Sequence, residues 1–207
     1  MRTKIELAGW LREDHFKLFN SFEEPYFSIN VDVDVTAAYA KAKELGVSFY
    51  LYYLYCAITA INKNESFRYR AINDEVFLYD RIDVTHVVLR PNGTFGFGFV
   101  PYVPTLEEFI ALAKADTDRI LTTTGLDLSI PHENIIHFSA MPGIKFTGLT
   151  HARSFAFKDS STKLSVGQVT EVHGKKMMPL SITVHHGLTD GLHVGQFIDL
   201  YQQLLNA

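Results

Sequence analysis

The stretch YFSINVDVDV, residues 26–35, alternates strictly between apolar and polar side chains. Because successive side chains of a β-strand point to opposite faces, this pattern predicts a strand with one buried face and one polar face. The apolar set consists of Phe27, Ile29, Val31, Val33 and Val35. The chain is therefore expected to contain a sheet that is covered on one side.

Helical patterns are interspersed with further strand patterns. Residues 36–46 predict a helix with Thr36 as its N-cap, an apolar helix follows at 47–61, and two more helices are expected at 105–120 and 190–206. Strands are predicted in hairpins at 67–80 and 84–100 and in segments at 135–140, 144–149, 153–157, 163–169 and 177–186.

The predicted fold class is α/β, more narrowly an α+β two-layer sandwich in which helices pack on a mixed, largely antiparallel sheet. No repeat and no linker rich in Pro, Gly or Ser divides the elements. We therefore expect a single domain, residues 1–207, with all strands in one sheet.

The composition suits a large buried interior, since 47% of the 207 residues are hydrophobic and 16 are Phe. A net charge of -4 provides no basic field for a phosphate backbone, so nucleic acid is not an expected partner. The single cysteine, Cys56, and an N-terminus without an apolar leader favour the cytoplasm. The most apolar run, residues 47–61, is too short to span a membrane, so no membrane partner is expected.

The stretch VHHGLTDGLHVG, residues 184–195, allows three interpretations. His186, Asp190 and His193 could form a metal site, although the two histidines lack the i, i+4 spacing of a zinc helix. A histidine at a strand end could instead be a catalytic base, with the nearby carboxylate fixing the loop. In the third interpretation His185 is an ordinary buried histidine and Asp190 caps the last helix.

Several separated motifs resemble the chloramphenicol acetyltransferase family. HHGLTDGLHVGQF, which begins at His185, is similar to the family signature of two histidines followed by Asp-Gly and His-Val. WLREDHF at 10–16, SFRYRAINDEVFLYD at 66–80 and FSAMP at 138–142 resemble further family segments. The shorter pattern H-x-x-x-D-G is shared with other coenzyme A acyltransferases, including the lipoyl-dependent ones.

This resemblance implies an enzyme that transfers acetyl from acetyl-CoA, as co-substrate and without a metal, to a hydroxyl of a small-molecule acceptor such as chloramphenicol. His186 matches the general base that takes the hydroxyl proton, and Ser139 matches the donor to the oxyanion. Asp190 and Arg12 match an ion pair that supports the catalytic loop. The family is trimeric with sites at subunit boundaries, so a homotrimer is also implied.

The resemblance also marks an acceptor pocket, which it places at Phe19, Phe27, Phe95, Leu149, His151, Arg153 and Ser165. Leu149, His151 and Arg153 are expected on a strand where better-known members have apolar residues. Burying an unpaired charge is costly. We therefore expect either that Arg153 reaches solvent or a carboxylate, or that the acceptor is more polar than chloramphenicol.

The co-substrate side departs further from the family. Gly143 stands where the family has a tryptophan and Gln168 where a lysine serves the nucleotide phosphates, while Lys145 is a candidate to supply the missing charge. These departures favour an alternative in which the chain is a non-catalytic small-molecule-binding protein on the same fold. A metal-dependent hydrolase is the third hypothesis.

Overall fold

In a computed structural model of the chain, the structure describes residues 1–126, 133–154 and 158–207. The helices within these ranges are α1 (Glu13–Asn20), α2 (Thr36–Glu44), α3 (Phe49–Lys63), α4 (Leu106–Thr122) and α5 (Gly191–Leu205). The strands are β1 (Arg2–Ile5), β2 (Tyr26–Asp34), β3 (Tyr69–Ile72), β4 (Glu75–Tyr79), β5 (Asp83–Leu89), β6 (Phe95–Val100), β7 (Ile135–Ala140), β8 (Lys163–Val166), β9 (Thr170–Val172) and β10 (Lys175–His185).

A seven-stranded sheet carries the fold, in the order β2-β10-β8-β7-β5-β6 with β9 paired to β10. Only the β5–β7 and β7–β8 pairs are parallel, and the other pairs are antiparallel. Helices α2, α3 and α5 pack together over one face of this sheet. The prediction of a mixed, largely antiparallel sheet with helices packed on it is therefore confirmed.

The period-two pattern determines which face of the sheet is buried. Ile182 on β10 pairs with Ile29 on β2 and with Leu164 on β8, so apolar side chains line up across the strands. Ile182 and Leu164 have no exposed surface. The apolar face of the large sheet is thus the floor of the main core, as the alternation in β2 predicts.

The opposite face of the same sheet is polar. Ser139 on β7 pairs with Ser165 on β8, Ser165 with Ser181 on β10, and Ser181 with Asn30 on β2. Since Phe138 beside Ser139 is buried in the core, Ser139 points away from the helices.

The expectation of a single sheet was wrong. The hairpin of β3 and β4 pairs with β1 in a separate three-stranded sheet. The hairpin itself is as predicted, with a two-residue turn in which Asn73 and Asp74 have positive φ angles of 49° and 65°. No pattern in the sequence had indicated β1, a short strand with little buried surface.

Two further local predictions were wrong. No strand forms between residues 144 and 154, and residues 155–157, the rest of the predicted 153–157 strand, lie outside the described residues. Leu149, His151 and Arg153 therefore lie on an irregular segment. At the start of α2, Val35 and not Thr36 occupies the N-cap position. The Thr36 hydroxyl instead donates a hydrogen bond to the Asp34 carboxylate.

Helix α3 is the apolar helix expected at 47–61, and ten of its residues are buried, Cys56 among them. Within the described ranges, no single helix is long and apolar enough to cross a membrane; α2 and α3 reach that length only as a pair bent by 119°.

Replacing Ile182 with alanine tests the position of the core. Because Ile182 is fully buried between two strands and under the helices, Ile182→Ala should lower the free energy of unfolding by about 3 kcal/mol. Val172→Ala on β9, where the side chain is 37% exposed, is the matched control and should cost less than about 1 kcal/mol. Urea unfolding followed by fluorescence measures both, and equal losses would contradict this core.

Candidate active site

His186 lies directly after the last residue of β10. Its backbone N–H donates to the carbonyl of Pro25, which extends the β2–β10 pairing by one step. Gly187 follows in a tight turn, where an added Cβ would lie 3.2 Å from the Cα of Phe16. The crowded turn explains why a residue without a side chain follows the histidine.

The His186 ring is held between two aromatic rings. It stacks on Phe19 of α1 with ring centroids 4.0 Å apart and planes 14° apart, and Phe27 of β2 lies 4.5 Å away. The Nδ1 atom is buried and has no hydrogen-bond partner among the described residues. A half-buried ring packed on both faces can offer only its edge to an incoming molecule.

Arg12 fixes the loop that carries His186. Its guanidinium donates to the Asp190 carboxylate at 2.6 Å, to the carbonyl of His186 at 3.1 Å and to that of Gly187 at 3.3 Å. Only 11% of the Arg12 side chain is exposed. One buried cation therefore ties the start of α1 to both ends of the histidine loop.

Asp190 is the N-cap of α5. It accepts a hydrogen bond from the backbone N–H of Leu192, and its own backbone N–H donates to Nδ1 of His193, which completes a capping box; the same His193 nitrogen lies 2.7 Å from the Asp190 carboxylate. Partial burial raises the pKa of this carboxyl, but the Arg12 hydrogen bond and the His193 ring outweigh burial and lower the pKa to about 2. His193 thus has a capping partner, and no group of three possible metal ligands occurs in the part of the chain that the structure describes.

His185 points away from His186, as predicted. Its ring is 3% exposed, contacts Phe16 and Tyr26, and accepts a hydrogen bond from the Gly187 N–H at Nδ1. Burial, with a smaller contribution from the charge of Arg153, lowers the pKa of His185 to about 4. His185 is therefore a neutral, packed residue near pH 7 rather than a base.

Ser139 does not meet His186 within one chain. It lies level with Ser181 on β10, and His186 follows Ser181 by five residues. At about 3.3 Å per residue along a strand and about 4.8 Å between strands, the two positions are roughly 19 Å apart. His186 shares the strand face of Val184 and Phe27, whereas Ser139 lies on the other face of the sheet.

The predicted acceptor residues do not lie together within one chain. Phe19 and Phe27 contact His186. Phe95 lies on β6, the opposite edge of the large sheet from β2, and is 45% exposed. Ser165 is fully buried beside Ser139, and its Oγ atom has no hydrogen-bond partner among the described residues.

Arg153 reaches a carboxylate, the first of the two expected alternatives. It forms an ion pair with Glu24, and its guanidinium lies over the Tyr26 ring at 3.8 Å from the centroid. Its charge is therefore matched beside β2, on the His185 side of the sheet. Leu149 and His151 precede it on the irregular segment, and the Nε2 atom of His151 is buried without a partner in the described ranges.

A cavity of 860 Å³ opens at the end of β7, on the side of α3 and α4. Strands β5 and β7 pair only as far as His86 and Phe138, although both strands continue. Ser139 is the first residue of β7 without a partner on β5, although it still pairs with Ser165 of β8. Aromatic and aliphatic side chains form most of the cavity wall, and among the lining residues the sequence predicts only Gln168 as a site residue.

Of the three residues predicted on the co-substrate side, only one lines this cavity. Gln168 lines it, together with Ala140 and Pro142 from the end of β7. Lys145 instead lines a different, smaller cavity beside Asn30. At Gly143 an added Cβ would meet no atom within 4 Å, so the missing tryptophan leaves open space.

Comparison with known proteins settles the family. A family model described as chloramphenicol acetyltransferase matches residues 1–202. The chain belongs to the chloramphenicol acetyltransferase family. Its resemblance to that family in the separated motifs is thereby confirmed.

Relatives in the chloramphenicol acetyltransferase family match over the full length. Chloramphenicol acetyltransferase 3 of Escherichia coli is 24% identical over 207 residues, covering 99% of this chain and 97% of the relative. The enzyme of Campylobacter coli is 28% identical over 207 residues, covering 99% and 98%. A solved chloramphenicol acetyltransferase structure superposes with a TM-score of 0.85 at 30% identity, covering 99% of this chain and 100% of that one.

The same fold occurs in a probable dihydrolipoamide acetyltransferase from Listeria monocytogenes, with a TM-score of 0.66 at 12% identity, covering 93% of this chain and 88% of that one. At this identity the likeness concerns the fold alone.

Neutralising Arg12 tests the support of the histidine loop. Arg12→Met keeps much of the side-chain length but leaves Asp190 without its cation, so the free energy of unfolding at pH 7 should fall by about 3 kcal/mol. Lys17→Met, which removes an exposed pair with Glu13, should cost less than about 1 kcal/mol.

The pH dependence of stability also tests the Arg12–Asp190 ion pair. Because the folded pKa of Asp190 lies near 2, below its ordinary value, the pair stabilises the folded chain above about pH 4 and is lost as the pH falls towards 2. The stability difference between the parent and Arg12→Met should therefore shrink across this window in urea titrations. A difference that stays constant from pH 7 to pH 2 would contradict the ion pair's role.

Proposed function

We propose that the chain is an acetyl-CoA-dependent O-acetyltransferase whose acceptor is a small molecule with a hydroxyl group, with chloramphenicol as the first candidate. The observation that carries this proposal is the His186 ring, which is held between aromatic rings on a loop braced by Arg12. An alcohol is a weak nucleophile near neutral pH, and a positioned imidazole is suited to take its proton.

The proposed reaction is a direct transfer in a ternary complex. The acceptor hydroxyl attacks the thioester carbonyl while His186 takes its proton, and the Ser139 hydroxyl donates a hydrogen bond to the oxyanion. The carbon–sulfur bond then breaks, and the proton passes from His186 to the leaving thiolate.

The cavity at the end of β7 suits the long arm of coenzyme A. It is mostly apolar, and Ala140, the residue after Ser139, lines it beside the end of the β5–β7 pairing. In the proposed reaction, the thioester would reach the Ser139 hydroxyl through the gap between these two strands. Lys114 of α4 lies on the cavity wall, is exposed, and forms no ion pair within the described ranges. We therefore assign the phosphate-binding charge to Lys114 instead of Lys145.

A complete site requires two copies of the chain. Because Ser139 and His186 are roughly 19 Å apart on opposite faces, one copy would supply Ser139 and its neighbour would supply His186. Exposed Phe95 and half-buried Phe97 on the edge strand β6 offer an apolar contact surface near the Ser139 side. We propose a homotrimer with such a site at each boundary, working in the reducing cytoplasm, where the free thiol of Cys56 would persist.

The alternative is a non-catalytic small-molecule-binding protein on the same fold. It is favoured by Gly143 and Gln168, which leave the co-substrate side without the family's tryptophan and lysine. Calorimetry separates the alternatives, because binding of an acceptor without measurable binding of coenzyme A would favour the non-catalytic protein.

Thiol release from acetyl-CoA tests the enzyme directly. With chloramphenicol and a panel of other hydroxyl compounds, His186→Ala should lower kcat by about 10² to 10⁴, because the general base is lost. Ser139→Ala should lower kcat by about 10²-fold, because one donor to the oxyanion is lost.

The control is His173→Asn, which changes an exposed histidine in the β9–β10 turn and keeps a residue that tolerates its positive φ of 50°. Its kcat should equal that of the parent. The enzyme proposal is wrong if no acceptor gives thiol release that depends on His186.

A further inference from the structure

His86 is a polar exception on the buried face of the large sheet. Its neighbours on the same face of β5, Val84 and Val88, are apolar and buried. The His86 side chain is only 1% exposed. Burying an imidazole among aliphatic groups costs free energy unless its nitrogens are bonded, so this position calls for a partner on each side of the ring.

Two side chains flank the ring. The Tyr50 hydroxyl of α3 lies 3.1 Å from Nδ1, and the Asp116 carboxylate of α4 lies 3.5 Å from Nε2. The distance to Asp116 is too long for a full hydrogen bond, and Nε2 has no other partner among the described residues. Helices α3 and α4 therefore each place one polar side chain against the buried histidine of β5.

Asp116 is itself held firmly. It accepts hydrogen bonds from the backbone N–H of Phe99 at 2.8 Å and from the Arg119 guanidinium at 2.7 Å and 3.0 Å. Gly98 of β6 makes room for the arrangement, because an added Cβ there would lie 2.4 Å from both Asp116 Oδ2 and His86 Nε2. Gly98, one of the glycines that separate the aromatic residues of β6, thus leaves the space that Asp116 and His86 occupy.

This group borders the cavity that we assign to the arm of coenzyme A. Tyr50 and His86 both line it, next to apolar residues such as Phe49, Val88 and Met178. Burial raises the pKa of the Tyr50 hydroxyl, which keeps it protonated near neutral pH. When Nε2 carries its hydrogen towards Asp116 and Nδ1 carries none, Nδ1 accepts a hydrogen bond from the Tyr50 hydroxyl, and the Tyr50 oxygen keeps lone pairs free to accept another hydrogen bond.

The arm of coenzyme A contains two secondary amides, each of which needs hydrogen-bond partners inside an apolar cavity. We propose that His86, braced by Asp116, orients the Tyr50 hydroxyl so that its oxygen accepts a hydrogen bond from an amide N–H of this arm. The inference rests on the proposed function. His86 and Asp116 are positioning residues in this scheme, and Tyr50 is the group that touches the co-substrate.

Calorimetric binding tests this contact without turnover, using coenzyme A and adenosine 3′,5′-bisphosphate, the nucleotide portion that lacks the arm. Tyr50→Phe should weaken coenzyme A binding about tenfold, the effect of one hydrogen bond lost in an apolar site. Its affinity for the bisphosphate should stay within about twofold of the parent value. Tyr55→Phe, which removes a hydroxyl of the same helix bonded to the carbonyl of Pro104, should change neither affinity.

His86→Leu provides the second variant and keeps the test valid if Tyr50→Phe does not fold. It should also weaken coenzyme A binding selectively, and combining it with Tyr50→Phe should add little, because both changes remove the same contact. Fully additive losses, or equal losses for coenzyme A and the bisphosphate, would overturn the inference.

The result also separates the inference from the proposed function. If the parent binds coenzyme A through Tyr50 but transfers no acetyl group, the transferase is wrong and the contact stands. If the parent transfers acetyl and Tyr50→Phe binds coenzyme A normally, the transferase stands and the contact is wrong.

Discussion

The two-residue period of the strands in the large sheet is the constraint on which the rest of the structure depends. It sends the apolar residues of β2 and β10 towards the helices and a row of serines, Ser139 among them, to the other face. His186 follows β10 with the parity of the apolar set and so lies on the helix side, beside Phe19 and Phe27. The same rule that builds the core thus separates the proposed base from the proposed oxyanion donor.

The β5–β7 pairing ends beside the cavity that we propose for the co-substrate arm. Pairing ends at His86 and Phe138, and Ala140, the residue after Ser139, lines the cavity beside α3 and α4. In the proposed reaction, a co-substrate arm in this cavity would bring its thioester to Ser139 through the gap between the two strands. In the proposed homotrimer, a neighbouring copy would bring His186 and complete the acceptor side.

Local patterns predicted most of the fold. Alternation marked β2, and the Asn73–Asp74 turn marked the hairpin of β3 and β4, because these signals depend on neighbouring residues. The separate small sheet was missed because β1 is short and gains its place only by pairing with distant β4. The irregular structure of the segment around Arg153 was missed because Glu24 and Tyr26, which Arg153 contacts, are distant in the sequence. The Arg12–Asp190 pair followed from the family resemblance, whereas His86 and Asp116, on β5 and α4, carried no shared motif.

The central claim is that one copy supplies His186 and another supplies Ser139 to each site. Refolding equal amounts of His186→Ala and Ser139→Ala chains together tests it most directly, by thiol release from acetyl-CoA with a working acceptor. In mixed trimers with sites at the boundaries, about a quarter of the sites contain both native residues, so about a quarter of the parent activity should return. A mixture no more active than the two variants measured separately would contradict the account.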